Sequence, residues 1–190
     1  MRMSGTLSLA LIAGAFWAGA IPFGVLIARR RGVDIRAHGS GNIGATNVTR
    51  VLGARTGAIV LVLDALKGAL PTAAALAALG APHLVALTGL AAILGHCFSP
   101  FLRGRGCKGV ATAAGVFVVI APGIVAIALA VFAVVLRVTR VPALGSLAAA
   151  AAITAGLALR GGGPYAALAV ATTVLLVYTH RSNLAKLRRR

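Results

Sequence analysis

Six apolar runs account for most of this 190-residue sequence, at residues 4–28, 57–79, 83–101, 109–136, 144–159 and 165–179. Runs this long with so few charges are read as membrane-spanning helices, because about 20 apolar residues in helical form cross the hydrocarbon core of a bilayer. The composition agrees: 59% of residues are hydrophobic, 11% are charged and the mean hydropathy is +0.98. The expected fold class is therefore an all-α polytopic membrane protein. It is a single membrane-embedded domain over residues 1–190, with no soluble domain and no clear internal repeat.

The basic residues between the runs set the expected topology. A single arginine precedes the first run and Arg29, Arg30 and Arg31 follow it. A secretory signal would carry its charge in front and a cleavage site behind, so this run is a retained helix with its N-terminus outside. The loop to Arg55 is then cytoplasmic, and the next two runs go out and return, which puts Arg103, Arg105 and Lys108 in the cytoplasm. The run at 109–136 decides the topology of the remaining chain. Crossed once, it leaves Arg137, Arg140 and the C-terminal cluster outside. Split at Ala121, Pro122 and Gly123, a strong breaker, it becomes a hairpin of two helices of about 13 residues that returns both basic groups to the cytoplasm. The charge pattern favours seven segments over six, in a compact bundle with a cytoplasmic C-terminus. Abundant small residues, Ala148 to Ala152 above all, suit close packing in lipid.

The net charge of +17 comes from 19 Lys and Arg against Asp34 and Asp64. These charges sit at the ends of apolar runs without interleaved aromatics, so the positive-inside rule accounts for them and nucleic acid is not expected as a partner. Two carboxylates rule against a carboxylate-bridged metal centre or a paired-carboxylate hydrolase. Cys97 and Cys107 are too few for a disulfide framework or a zinc site and read as packing residues. No metal or cofactor is expected. A phosphate-handling site would have to rely on Lys, Arg and backbone N–H groups.

Three polar clusters reach one face under this topology. The first, GSGNIGATNVTR at 39–50, reads as an anion cradle. Its glycines free the backbone so that N–H groups can converge, Ser40, Asn42, Thr46 and Asn47 add neutral partners, and Arg50 adds a planar cationic fork. A plain polar loop between helices would favour the same small residues. The second, GHCFSPFLRGRGCKGVAT at 95–112, ends with Lys108 directly before a new helix at Gly109, where free N–H groups favour an anion. Arg103 and Arg105 read as topology determinants and lipid-headgroup contacts rather than catalytic groups, and His96 reads as a structural hydrogen-bonder. The third, THRSNLAK at 179–186, has His180 and Asn183 three apart, on one side if helical. Asp64 and Lys67, inside an apolar helix at i, i+3, read as a structural ion pair near the site, with direct substrate contact as the alternative. The tail Arg188 to Arg190 reads as an anchor to anionic lipid.

Taken together, these motifs resemble the bacterial acyl-phosphate:glycerol-3-phosphate acyltransferases of the PlsY family over nearly the whole chain. The resemblance rests on GSGNIGATNVTR with the following VLG, on LDALKGALP at 63–71, on GH-F with KGVAT, and on HRSNLAKL. It implies a small helical bundle in the bacterial inner membrane with its site facing the cytoplasm. It implies a reaction in which the 1-hydroxyl of glycerol 3-phosphate attacks an acyl phosphate, giving lysophosphatidic acid and inorganic phosphate. Glycerol 3-phosphate, acyl phosphate and membrane lipid are then the expected partners, and the chain is expected to act as a monomer. On this resemblance Ser40, Gly41, Asn42, Thr46, Asn47 and Arg50 would hold phosphate groups, with Arg105 and Ser146 as further substrate contacts. Lys108 would stabilise charge, and His180 and Asn183 would orient glycerol phosphate and its hydroxyl.

The sequence departs from the family pattern in places. Cys107 stands where many members have a glycine before the lysine, Ser99 and Pro100 shift a proline, and Ala143 and Ser146 stand where members tend to carry two serines, so one polar contact is lost. The tail lacks the usual glycine and acidic residue. A non-catalytic carrier of a phosphorylated small molecule, or an enzyme using acyl carrier protein or acyl-CoA, would be built from similar parts.

Overall fold

A computed structural model describes residues 5–187, so the Arg188 to Arg190 tail and the arginine before the first run lie outside the described residues. All regular structure among the described residues is helical, as expected for a chain whose backbone polar groups must be satisfied internally in lipid. The α-helices are α1 (Gly5–Ala20), α2 (Phe23–Arg29), α3 (Ala45–Leu52), α4 (Ala54–Leu79), α5 (Pro82–Cys97), α6 (Val110–Ile120), α7 (Pro122–Thr139), α8 (Pro142–Leu159), α9 (Gly163–Thr179) and α10 (Arg181–Leu187). Five helical runs are long and apolar enough to cross a membrane: Gly5–Arg29, Ala54–Leu79, Pro82–Leu102, Pro122–Thr139 and Pro142–Leu159. Helices α6 and α9 are apolar but shorter.

The run at 109–136 is broken before Pro122, as its sequence anticipates, but unequally, into helices of 11 and 18 residues. The second continues past Leu136 until Arg140 turns left-handed, with φ 57°. Three features differ from the sequence expectation. The first apolar run is interrupted at Ile21 and Pro22, because proline has no N–H to continue the helical ladder. The basic loop contains α3, whose apolar side chain Val48 is fully buried. The last run ends at Thr179, so His180 and Asn183 straddle a helix boundary instead of sharing one helix.

Small residues set the helix contacts. A side chain at Gly19 would strike the Ala92 carbonyl, one at Gly95 the Phe16 carbonyl, one at Gly68 that of Thr112 and one at Gly115 that of Ala65. Without a hydrophobic drive between helices in lipid, such backbone approach is the source of association. These contacts also fix the directions of packing. Gly19 lies against Ala92 and Ser99 donates to the Ala20 carbonyl at 2.6 Å, so α1 and α5 run together. Ile124 meets Gly156 and Phe132 meets Gly145, so α7 and α8 are antiparallel. Thr154 and Thr173 pair their hydroxyls at 2.9 Å across antiparallel α8 and α9. One end of the bundle therefore gathers segments 30–53, 98–109, 140–141 and 180–187, and the other carries the short turns at 80–81, 121 and 160–162.

Gly95→Val should prevent recovery of folded, monodisperse protein in detergent, since the colliding atoms are backbone. Gly14→Ala, where a side chain meets nothing within 4 Å, should leave the thermal midpoint unchanged.

Candidate active site

The 39–50 segment is held by a web of hydrogen bonds that redefines which groups face outward. Asn47 is buried and uses its whole amide within the loop. Its Nδ2 donates to the carbonyls of His38 (3.0 Å) and Ile35 (3.4 Å), and its Oδ1 accepts from the Ser40 N–H (2.9 Å) and Arg50 Nη1 (3.2 Å). The Gly41 N–H closes a turn onto the His38 carbonyl at 3.0 Å, with Gly41 itself at φ 71°. The Gly44 N–H donates to Asn42 Oδ1 at 2.8 Å. The amides of Ser40, Gly41 and Gly44 thus do not converge on open space, and Asn47 shapes the cradle from inside. What remains available is the Ser40 hydroxyl, Asn42 Nδ2, exposed Thr46, the first-turn amides of α3 and the exposed Arg50.

The second cluster reaches this loop by folding back on the end of α5. Gly104 N–H donates to the Ser99 carbonyl (2.9 Å), Gly106 to Cys97 (3.1 Å) and Cys107 to His96 (3.1 Å). A side chain at Gly106 would collide with the His96 carbonyl, whereas the Cys107 side chain has room because Gly44 has none. The Cys107 thiol donates to Asn42 Oδ1 at 3.0 Å, across 65 residues of sequence. Cys107 is therefore more than the packing residue its sequence suggests. Burial and the Asp64 charge push its thiol up to about 11, so at neutral pH it stays a protonated donor. With two donors on Oδ1, the Asn42 amide is fixed with Nδ2 turned away from them.

Lys108 follows at once, half-buried, and its carbonyl accepts from the Thr179 hydroxyl at 3.0 Å, which ties the second cluster to the third. Burial holds the Lys108 ammonium below its ordinary value, and Lys186 adds to the effect. His180 is buried, and its Nδ1 lies 2.8 Å from the Leu176 carbonyl. A carbonyl only accepts, so Nδ1 carries the proton. Burial lowers the ring's pKa, with Lys108 contributing, so the ring is neutral near pH 7 and Nε2 presents a lone pair. Half-buried Asn183 stays near through its N–H to the His180 carbonyl at 2.8 Å. The Thr154–Thr173 register puts Ser146, near the start of α8, level with His180, where its hydroxyl donates to the Pro142 carbonyl at 2.9 Å. Arg105 is exposed on the return loop.

Neither carboxylate is free to act as a base. Asp34 takes Arg36 in a fork at 2.9 and 2.8 Å, and that hydrogen bonding holds it at about 2. Asp64 lies in the buried pair with Lys67 at 2.9 Å, as the sequence suggests. His96, expected to be a structural hydrogen-bonder, has no partner for Nδ1 among the described residues and stands 3.8 Å from Asp64 Oδ1.

Residues 9–190 match the family described as glycerol-3-phosphate acyltransferase. The glycerol-3-phosphate acyltransferase of Myxococcus xanthus is 50% identical over 184 residues, covering 95% of this chain and 96% of its own, and that of Geotalea daltonii is 49% identical over 185 residues, covering 96% and 95%. This chain belongs to the PlsY family of glycerol-3-phosphate acyltransferases. Crystal structures of PlsY, an integral membrane glycerol 3-phosphate acyltransferase, superpose on it with TM-scores of 0.93 for the glycerol 3-phosphate form and 0.91 for the lysophosphatidic acid form. Each is 36% identical and covers 96% of this chain and 92% of its own. The chain is thus an integral membrane acyltransferase, and its three joined clusters are the polar face of that PlsY fold.

Cys107→Ser retains a donor to Asn42 and should keep full activity. Cys107→Ala removes one hydrogen bond, of about 1 kcal/mol, and should raise KM roughly fivefold with little change in kcat. Steady-state kinetics on the purified variants checks both.

Proposed function

We propose that this acyltransferase moves the acyl group of an acyl phosphate to the 1-hydroxyl of glycerol 3-phosphate, giving lysophosphatidic acid and inorganic phosphate. The observation that carries the proposal is that both carboxylates are held in ion pairs while the candidate site is rich in cations, amides and hydroxyls. Such a site has no carboxylate general base, and an acyl phosphate does not need one. The hydroxyl oxygen attacks the acyl carbon and forms the ester bond. The bond from that carbon to the phosphate oxygen breaks, and the departing phosphate takes the hydroxyl proton. No covalent enzyme intermediate is required, and the protein supplies positioning and charge.

In this reading Ser40, Asn42, Thr46 and Arg50 hold phosphate oxygens, while Gly41 and Asn47 shape the loop that presents them. Lys108 stands between the loop and the third cluster and stabilises the charge on the transferring group. The Nε2 lone pair of His180 accepts the hydrogen bond of the attacking hydroxyl, and Asn183 and Ser146 complete the glycerol phosphate end. Arg105, exposed at the rim, draws in anionic substrate. The end of the bundle that carries these groups faces the cytoplasm, with the N-terminus outside. In support, every described Lys and Arg except Lys67 and Arg160 lies at that end.

Purified protein given palmitoyl phosphate should release phosphate only when glycerol 3-phosphate is present, and acyl-CoA or acyl carrier protein should not replace the donor. Release independent of the acceptor would contradict the proposal. The pH profile of kcat/KM supplies a second check. His180 must be neutral and burial lowers its pKa, so activity should survive to below the usual histidine value of about 6.5. Lys108 must be charged and burial lowers its pKa too, so activity should fall, as pH rises, before the usual lysine value of about 10.4. Lys108→Ala should abolish turnover while leaving folded protein.

A further inference from the structure

The break between α1 and α2 exposes backbone that the membrane cannot satisfy. Pro22 supplies no N–H, and the last carbonyls of α1 have no helical partner. Ser99 answers the Ala20 carbonyl at 2.6 Å, and Lys67 Nζ answers the Ile21 carbonyl at 2.8 Å. The same ammonium bonds Asp64 Oδ1 at 2.9 Å and lies 5.6 Å from the centre of the Phe23 ring. Asp64, Lys67 and Ser99 are 3%, 7% and 2% exposed, so the whole arrangement is buried. The Ile21 carbonyl accepts from the Phe23 N–H at 3.1 Å within the turn, and Lys67 is its partner from outside the α1–α2 segment.

The chain beyond the break makes this contact matter for catalysis. Helix α2 leaves it directly, and Gly24, two residues past Pro22, packs its backbone against the Ile43 carbonyl and near Val48. Ile43 precedes Gly44, the residue from which α3 starts. A displaced α2 would therefore move Ile43, and with it Asn42, Gly44 and the first-turn amides of α3. We infer that Lys67, held by Asp64, is a positioning residue: by clamping the Ile21 carbonyl it fixes the exit of α2 and so the geometry of the phosphate-binding loop.

This inference rests on the 39–50 loop being the phosphate site, so the test separates the two. Glycerol 3-phosphate binding is measured by calorimetry, and kcat and KM by phosphate release, for wild type, Ser40→Ala, Asp64→Asn, Lys67→Met and the double variant Asp64→Asn/Lys67→Met. Ser40→Ala reports on the loop alone; unchanged binding there would remove the loop as the site, whatever the pair does. Losing one member of a buried pair strands the other charge, so Lys67→Met is expected to be poorly folded. The double variant carries no stranded charge and should fold, with a thermal midpoint within a few degrees of wild type. It should nevertheless bind glycerol 3-phosphate roughly tenfold more weakly and lose on the order of 100-fold in kcat/KM, the scale expected from a misplaced site. Asp64→Asn strands the ammonium in the same way and is likewise expected to be poorly folded, so the double variant carries the test. A double variant that recovered wild-type kinetics, or that could not be obtained folded, would overturn the proposal and make the pair a purely structural element.

Discussion

Polar groups below the membrane surface need partners within the protein, with His96 Nδ1 and Thr172 Oγ1 left without one among the described residues, and much of this structure stems from that requirement. It makes the chain helical, and it decides what happens wherever a helix is interrupted. At Pro22 the released carbonyls are taken by Ser99 and Lys67. Along the helices, Thr56, Thr72, Thr88 and Ser146 return their hydroxyls to the carbonyl four residues earlier. Between helices, Thr112 bonds the Asp64 carbonyl and Thr179 that of Lys108. Each of these threonines satisfies a carbonyl without bringing in a charge.

The same requirement shapes the electrostatics. A bilayer interior tolerates ionised groups only in pairs, and the Lys–Asp pair inside the spans is assembled on a single helix turn. The other carboxylate is neutralised by Arg36 next to it. With both acids used up, the cations at the site end other than Arg36 have no carboxylate counter-ions among the described residues. A chemistry that needs a good leaving group and positive charge, with no carboxylate base, fits a protein built this way.

The site is a junction of three distant segments, and each join is a short-range contact. Cys107 meets Asn42 because Gly44 leaves the space, Thr179 meets the Lys108 carbonyl, and Asn47 draws Ser40, His38 and Arg50 together. Glycines at 44, 106 and 109 are needed at these joins for lack of room, and Gly109 also for its left-handed backbone at φ 89°. The Cys107 departure from the family pattern is thus accommodated by a residue in another cluster. It adds a hydrogen bond to the junction and does not obstruct it.

The sequence by itself determined the membrane class, the break at Pro122, the buried pairing of Asp64 with Lys67 and the identity of the polar clusters. Each of these rests on a local property: the length of an apolar run, a residue lacking an N–H, a spacing of three on a helix, a density of glycine and amide. The tertiary structure decided which atoms of those clusters point outward. Asn42 and Asn47 look alike in the motif, yet one presents its amide and the other uses it to hold the loop, because only one of them lies against the carbonyls of Ile35 and His38. The tautomer of His180, the thiol bond of Cys107 and the hold of Lys67 on Ile21 were likewise beyond sequence reading. Those partners are set by how helices far apart in the chain come to lie side by side, and that depends on shape fitting at glycines rather than on any pattern along the chain.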